Sequence, residues 1–200
     1  MPLTGMLQVF GLRLMAKAAL MAGRNDAALT RFDQILDCRP LDPHALASRA
    51  HLLGQRGDRA GAIETLYRLT AAHPEHAAGW FNLGFLLEEA GALEPAREAF
   101  QCACDLAPDL DRAWFGLAQV HIRAGRLDEA AAALQVNTRL QPFAPHGWYQ
   151  LARLHVQRQA NEEAIRIIDH LRGFEPRVAA QLEREKIGRA SCRERVSFLV

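Results

Sequence analysis

Residues Ala77–Leu110 have the sequence AAGWFNLGFLLEEAGALEPAREAFQCACDLAPDL, and the main features of this stretch recur at a fixed interval on both sides of it. Trp80, Trp114 and Trp148, for example, follow one another at intervals of 34 residues. A fixed period between about 20 and 50 residues is typical of repeat proteins, in which one unit cannot bury its apolar face alone. The sequence therefore predicts an array of stacked repeat units.

Extending the period from Ala77 in both directions defines five repeat units, 9–42, 43–76, 77–110, 111–144 and 145–178. A proline ends each unit's second half, at Pro40, Pro74, Pro108, Pro142 and Pro176. The middle of the unit contains Gly23, Gly57, Gly91, Gly125 and, in the fifth unit, Gln159. Glycine tolerates a tight turn and proline cannot continue a helix interior. Each unit is therefore predicted to contain two helices.

The apolar residues within each half of a unit have helical spacing. In the first half of the central unit, Trp80, Leu83, Gly84 and Leu87 follow the pattern i, i+3, i+4, i+7, which places them on one helix face. Helices of about 14 residues are too short to be stable alone. We therefore expect stability to come from packing between the two helices of a unit and between successive units.

Residue size supports the same arrangement. The second helices share a small residue, at Ala28, Ala62, Ala96, Ala130 and Ala164. The first helices share another, at Ala16, Ala50, Gly84, Ala118 and Ala152. A bulky residue recurs beside them, at Phe32, Leu66, Phe100, Leu134 and Ile168. Small residues let two helix backbones approach closely, and the bulky side chain then fills the space beside them.

This pattern resembles the tetratricopeptide repeat family, whose unit is a 34-residue antiparallel helix pair. The family's characteristic positions are filled in order by Trp80, Leu83, Gly84, Leu87, Ala96, Phe100, Ala103 and Pro108. The resemblance covers residues 9–178 and implies an all-α fold, a right-handed α-solenoid of antiparallel helix pairs. Leu12 and Leu46 replace the tryptophan in the first two units, which loosens the match there.

The two ends of the chain differ from the repeats. Residues 1–8 are an N-terminal lead-in, and 179–186 are predicted to be a capping helix or the start of a sixth unit. Residues 187–200 are expected to be a non-native tail, because 187–196, IGRASCRERV, resemble a translated sequencing adapter. In that case the native chain could continue differently after Lys186.

Composition restricts the class of partner. The formal net charge is +1, so no strong field favours nucleic acid or an anionic membrane. Four cysteines in 200 residues do not suggest a disulfide scaffold. The apolar N-terminal run has no basic residue before Arg13 and is interrupted by charges, which favours an amphipathic helix over a signal peptide. The expected location is the cytoplasm.

No residue pattern indicates catalysis, a cofactor or a metal site. Cys102 and Cys104 are two positions apart on a predicted helix, so their sulfurs cannot readily chelate one metal, and we expect one to pack and the other to be partly exposed. The eight histidines form no zinc motif. His121 and His155 are expected to pack inside helix pairs, whereas His73 and His76 are expected to be solvated.

The family resemblance implies a binding surface. In tetratricopeptide arrays the first helices line a concave groove, and transferring those positions to this sequence gives a groove that has cationic and aromatic side chains but no acid. Its residues are Arg13, Lys17, His51, Phe81, Asn82, Phe85, Arg112, Phe115, Gln119, Arg123, His146, Tyr149, Gln150 and Arg153. Such a groove suits an acidic peptide or a C-terminal carboxylate.

The sequence leaves three functions open. The leading one is a non-enzymatic protein–protein interaction scaffold that binds a protein or peptide partner, with no nucleic acid and no membrane, as a monomer or weak homo-oligomer. A second is the N-terminal repeat region of a larger enzyme, such as a glycosyltransferase or sulfotransferase. A third is a structural repeat protein that assembles with itself through its end helices.

Overall fold

A computed structural model describes residues 3–185, with side chains from residue 6 onward. Within this range the chain consists of helices and short turns and contains no strand. It divides into two compact bodies, one up to Pro108 and one from Asp109 onward. We call them the N-terminal body and the C-terminal body and describe each by itself.

Within residues 3–108 the N-terminal body has six helices, and each helix packs against the next one along the chain. They are α1 (Leu3–Met21), α2 (Asn25–Cys38), α3 (Pro43–Arg56), α4 (Arg59–Ala72), α5 (Ala77–Glu89) and α6 (Leu93–Leu106). The connections are too short to be anything but tight turns, so successive helices are antiparallel.

The C-terminal body repeats this arrangement. Its helices are α7 (Asp111–Arg123), α8 (Leu127–Leu140), α9 (Pro145–Gln157), α10 (Asn161–Arg172) and α11 (176–185). Four first helices, α3, α5, α7 and α9, begin at the residues where the repeat units were predicted to begin. Helices α1 and α11 begin earlier than the units 9–42 and 179–186, at Leu3 and at residue 176. The predicted segment 187–200 lies outside the described residues, so its non-native origin stays a prediction.

The turn inside each helix pair has a residue with left-handed backbone geometry. Gly23, Gly57, Gly91 and Gly125 have φ between 69° and 86°. Gln159, at the same position in the fifth pair, also has a positive φ of 62°. A side chain in this conformation is strained because its Cβ approaches the backbone. The fifth pair therefore keeps the turn geometry of the other four without the glycine that relieves it.

Two of the repeated tryptophans, Trp80 and Trp148, form hydrogen bonds with the loops that precede their helices. The Trp80 indole Nε1–H donates a hydrogen bond to the carbonyl oxygen of Pro74 at 2.8 Å. Trp148 donates in the same way to the carbonyl of Pro142 at 2.9 Å. Proline lacks an N–H and ends the preceding helix, and the indole satisfies its carbonyl. In these two units the repeated tryptophan and the repeated proline thus stabilise the same loop.

The core lies between the helices of each pair. The five repeated alanines of the second helices are all 0% exposed, and the bulky residues beside them are at most 3% exposed. The two helices of the central unit approach closely at Gly84, where a Cβ atom would lie 2.9 Å from the ring of Phe100. The largest core side chain in this pair therefore faces the smallest residue, as the sequence pattern predicts.

Helix α1 has an exposed apolar face. Val9 and Ala16 are buried, but seven large apolar side chains of α1 are at least 40% exposed. They are Met6, Leu7, Phe10, Leu14, Met15, Leu20 and Met21. Among the described residues, no helix is both long and apolar enough to cross a membrane.

Candidate functional site

The predicted groove residues of the N-terminal body lie on α1, α3 and α5. Lys17, His51, Asn82 and Phe85 are exposed, and Phe85 keeps 47% of its surface accessible. Phe81 is half-buried, and its ring lies 6.0 Å from that of Phe100, centroid to centroid. One side of Phe81 therefore contributes to the core, while Phe85, one helical turn later, is available to a ligand.

Arg13 has a structural partner. Its guanidinium donates to a carboxylate oxygen of Asp42 at 2.5 Å, and the other oxygen of Asp42 accepts the backbone N–H of Ala45 at 3.0 Å. Asp42 is buried and caps the N-terminus of α3, where a carboxylate is favourable. Arg13 thus ties α1 to the start of α3, and 43% of its side-chain surface stays exposed.

The predicted groove residues of the C-terminal body lie on α7 and α9. Arg112, Arg123, His146 and Arg153 are exposed, while the others are half-buried. The half-buried residues are Phe115, Gln119, Tyr149 and Gln150. The guanidinium of Arg153 lies 5.6 Å from the centre of the Tyr149 ring, close enough for a cation–π contact. None of these eight side chains is part of the buried core.

The acids have a different distribution. Glu94 and Glu98 on α6, and Asp128 and Glu129 on α8, are exposed on second helices. Several acids pair with arginines within one body, for example Glu89 with Arg59 at 3.1 Å. The predicted groove positions therefore contain no acid, whereas α6 and α8 present exposed acids.

The cysteines are arranged as expected. Cys104 is 1% exposed, whereas Cys102 is half-buried. Burial, together with the nearby Asp105, raises the pKa of the Cys104 thiol to about 12. A thiol with such a pKa is not a nucleophile near neutral pH. Within the described part of the chain, no three His, Cys, Asp or Glu side chains are placed to hold a metal ion.

Two histidines that were expected to be solvated are half-buried, and both also form hydrogen bonds that the sequence did not predict. His76 caps α5, because its Nδ1 accepts the backbone N–H of Gly79 at 2.9 Å. His73 Nε2 lies 2.8 Å from the carbonyl oxygen of Leu41 and donates to it. That hydrogen bond raises the pKa of His73. A histidine is an unusual N-cap, so its sequence position gave little indication of this role.

The comparison with known families identifies the repeat. The tetratricopeptide repeat family model matches residues 47–111 and 108–145. The chain is a tetratricopeptide repeat protein. Its sequence has no match among curated proteins.

Solved structures agree with this assignment. The crystal structure of MamA protein matches this tetratricopeptide repeat protein with a TM-score of 0.78 and 18% identity, covering 86% of this chain and 94% of that one. MamA 41-end from Desulfovibrio magneticus RS-1 gives 0.73 and 18%, with coverages of 89% and 96%. YrrB, described as a TPR protein with an unusual peptide-binding site, gives 0.74 and 18%, with coverages of 84% and 88%. The predicted fold class, an all-α solenoid of helix pairs, is confirmed.

Sequence reasoning missed two residues beside the predicted groove of this tetratricopeptide repeat protein. Gln181 and Glu185 on α11 contact Tyr149, and Glu185 also pairs with Arg153 at 3.6 Å. The sequence placed Glu185 only within the predicted capping helix or sixth unit, 179–186. Glu185 is the seventh residue of the sixth unit and is equivalent to Leu83 of the central unit. This equivalence was the sequence signal that could have placed Glu185 beside the first helix of the fifth unit. An acid therefore lies against a surface predicted to have none.

His155 is buried as predicted, at 7% exposed, where the equivalent positions have Leu53 and Leu87. Its Nδ1 is buried and has no hydrogen-bond partner among the described residues. Burial lowers the pKa of His155, and the positive charge of Arg158 lowers it further. The unfolded chain therefore binds a proton at this residue more readily than the folded chain does.

This difference predicts a pH dependence. As the pH falls from about 7 to about 5, through the ordinary histidine pKa of about 6.5, His155 should lower the free energy of unfolding by on the order of 1 kcal/mol. A His155→Leu variant should lose less stability than the wild type over this range, as measured by urea unfolding. His51→Leu makes the same substitution at an exposed histidine and is the matched control. Equal pH dependence in His155→Leu and wild type would contradict the assignment.

Proposed function

We propose that this protein is a non-enzymatic binding module that takes up an acidic peptide segment, or a C-terminal carboxylate, on its first helices. The observation that supports this most is the accessibility of cationic and aromatic side chains at the predicted positions of α5, α7 and α9. Exposed cations form charge-assisted hydrogen bonds with carboxylates. Half-exposed rings such as Phe85 provide anchors with little loss of conformational entropy. A cytoplasmic location belongs to the same proposal.

The structural relatives support a peptide as the ligand class. YrrB shares the fold and its description names a peptide-binding site. We propose that the peptide lies along the fourteen predicted groove residues of the present chain. The limits of the five repeat units belong to the same proposal. The possibility that the repeats belong to a larger enzyme stays a prediction, which the intact reading frame would decide.

Titration with labelled peptides tests the proposal. Fluorescein-labelled hexaglutamate should raise the fluorescence anisotropy on addition of the protein, whereas hexalysine of the same length should not. Binding should weaken between about 0.05 M and about 0.5 M salt, because salt screens exposed charges. Equal binding of the two peptides would contradict a groove selective for acids.

A second candidate function is association of two copies through α1. The seven exposed apolar side chains of α1 favour it, because exposed patches larger than a few hundred Å² usually mark interaction sites. Sedimentation analysis should then detect dimers of the wild type and monomers of a Phe10→Ser, Leu14→Ser variant. A wild-type protein that remains monomeric at high concentration would rule out this candidate.

A further inference from the structure

One carboxylate is held by side chains of the C-terminal body. The Tyr149 hydroxyl donates to Oε1 of Glu185 at 2.8 Å, and Gln181 Nε2 donates to the same oxygen at 3.0 Å. The Nε of Arg153 lies 3.6 Å from the other oxygen, Oε2. Both oxygens of Glu185 thus face donor groups, which come from α9 and α11.

The donor groups also support one another. Gln181 Nε2 lies 3.1 Å from the Tyr149 hydroxyl oxygen and donates to it, and the Arg153 guanidinium lies over the Tyr149 ring. Burial and the hydrogen bond to Glu185 raise the pKa of Tyr149, so its hydroxyl stays a donor at neutral pH. Two of the three donors, Tyr149 and Arg153, belong to the residues predicted to face a ligand.

The contact is open to solvent. The side chains of Arg153 and Glu185 are 43% and 35% exposed. Ion pairs of this exposure are weak compared with buried ones, because water competes for both charges. Another carboxylate that is held in place by additional contacts can therefore replace Glu185 without a large penalty.

We infer that Tyr149, Arg153 and Gln181 form a carboxylate-binding site, which Glu185 of the same chain occupies until an acidic peptide displaces it. The inference rests on the proposed peptide-binding function and adds a location and a regulator to it. The ligand group is a carboxylate, either of an acidic side chain or of a peptide C-terminus. Helix α11 acts as an internal competitor for that ligand.

Glu185→Gln tests this inference, with Glu183→Gln as the matched control. Both substitutions remove one negative charge from α11, but Glu183 pairs with Arg172 and does not contact the donor groups. Two fluorescein-labelled probes separate the two carboxylate sources. Hexaglutamate with an amidated C-terminus offers side chains only, and hexaserine with a free C-terminus offers a terminal carboxylate only.

We expect Glu185→Gln to bind one of these probes about two- to fivefold more tightly than the wild type and than Glu183→Gln. Adding Tyr149→Phe to Glu185→Gln should reverse that gain, while circular dichroism shows an unchanged helix content. Equal affinities of Glu185→Gln and Glu183→Gln, with measurable binding, would overturn the inference and leave the proposed function intact. No binding of either probe by any variant would overturn both.

Discussion

Replacing Phe100 by alanine is expected to lower the free energy of unfolding by about 3 to 5 kcal/mol. Phe100 is 1% exposed, and its ring occupies the space that the missing side chain of Gly84 leaves open. Alanine at position 100 would leave a cavity bordered by the backbone of α5. A helix backbone cannot move into such a cavity, whereas a flexible side chain could. The structure would therefore recover little of the lost free energy of unfolding.

Urea unfolding followed by circular dichroism measures this effect, with Phe85→Ala as the control. Phe85 lies on α5 beside Gly84 but is 47% exposed, so its truncation should change the free energy of unfolding by less than about 1 kcal/mol. A Phe100→Ala variant no less stable than Phe85→Ala would mean that the helix pair is not packed around Gly84. Adding Gly84→Leu to Phe100→Ala should restore part of the loss, because its side chain would enter the vacated space.

Reversing three groove charges is expected to weaken the binding of an acidic peptide by at least about tenfold. The residues are Arg112, Arg123 and Arg153, all exposed and all on first helices of the C-terminal body. Each substitution by glutamate removes an attraction and adds a repulsion for a carboxylate. Because the three side chains lie outside the buried core, helix content should not change.

The control reverses three arginines on second helices. Arg68, Arg139 and Arg166 are also exposed, and they lie on α4, α8 and α10. The two triple variants have the same net charge. A difference between their affinities for the acidic peptide therefore reports the position of the substituted charges and not the overall charge. Since long-range attraction depends on net charge, the control variant should lose some affinity, but less than the groove variant.

The fold could be predicted in detail because the same residue pattern recurs in five units. A single small residue such as Ala96 says little, but five alanines at one position indicate a contact between two helix backbones, and all five are fully buried. Gln159 departs from the repeated glycine. It occupies a glycine position, and the structure keeps the left-handed turn there, so surrounding packing outweighs the local preference.

The candidate site was less predictable, because it depends on contacts that do not recur in each unit. Arg13 and Arg153 occupy first-helix positions of the groove, yet one pairs with the cap residue Asp42 and the other with Glu185 of α11. Those partners come from neighbouring helices, and one of them lies beyond the five repeat units. Repeat position therefore predicts where a side chain lies but not which neighbouring charge it meets.

The titration of labelled hexaglutamate into the two triple variants tests the central proposal most directly. We predict that Arg112→Glu, Arg123→Glu, Arg153→Glu binds at least about tenfold more weakly than the wild type, and more weakly than Arg68→Glu, Arg139→Glu, Arg166→Glu. Equal affinities of the two variants for hexaglutamate would contradict binding on the first helices.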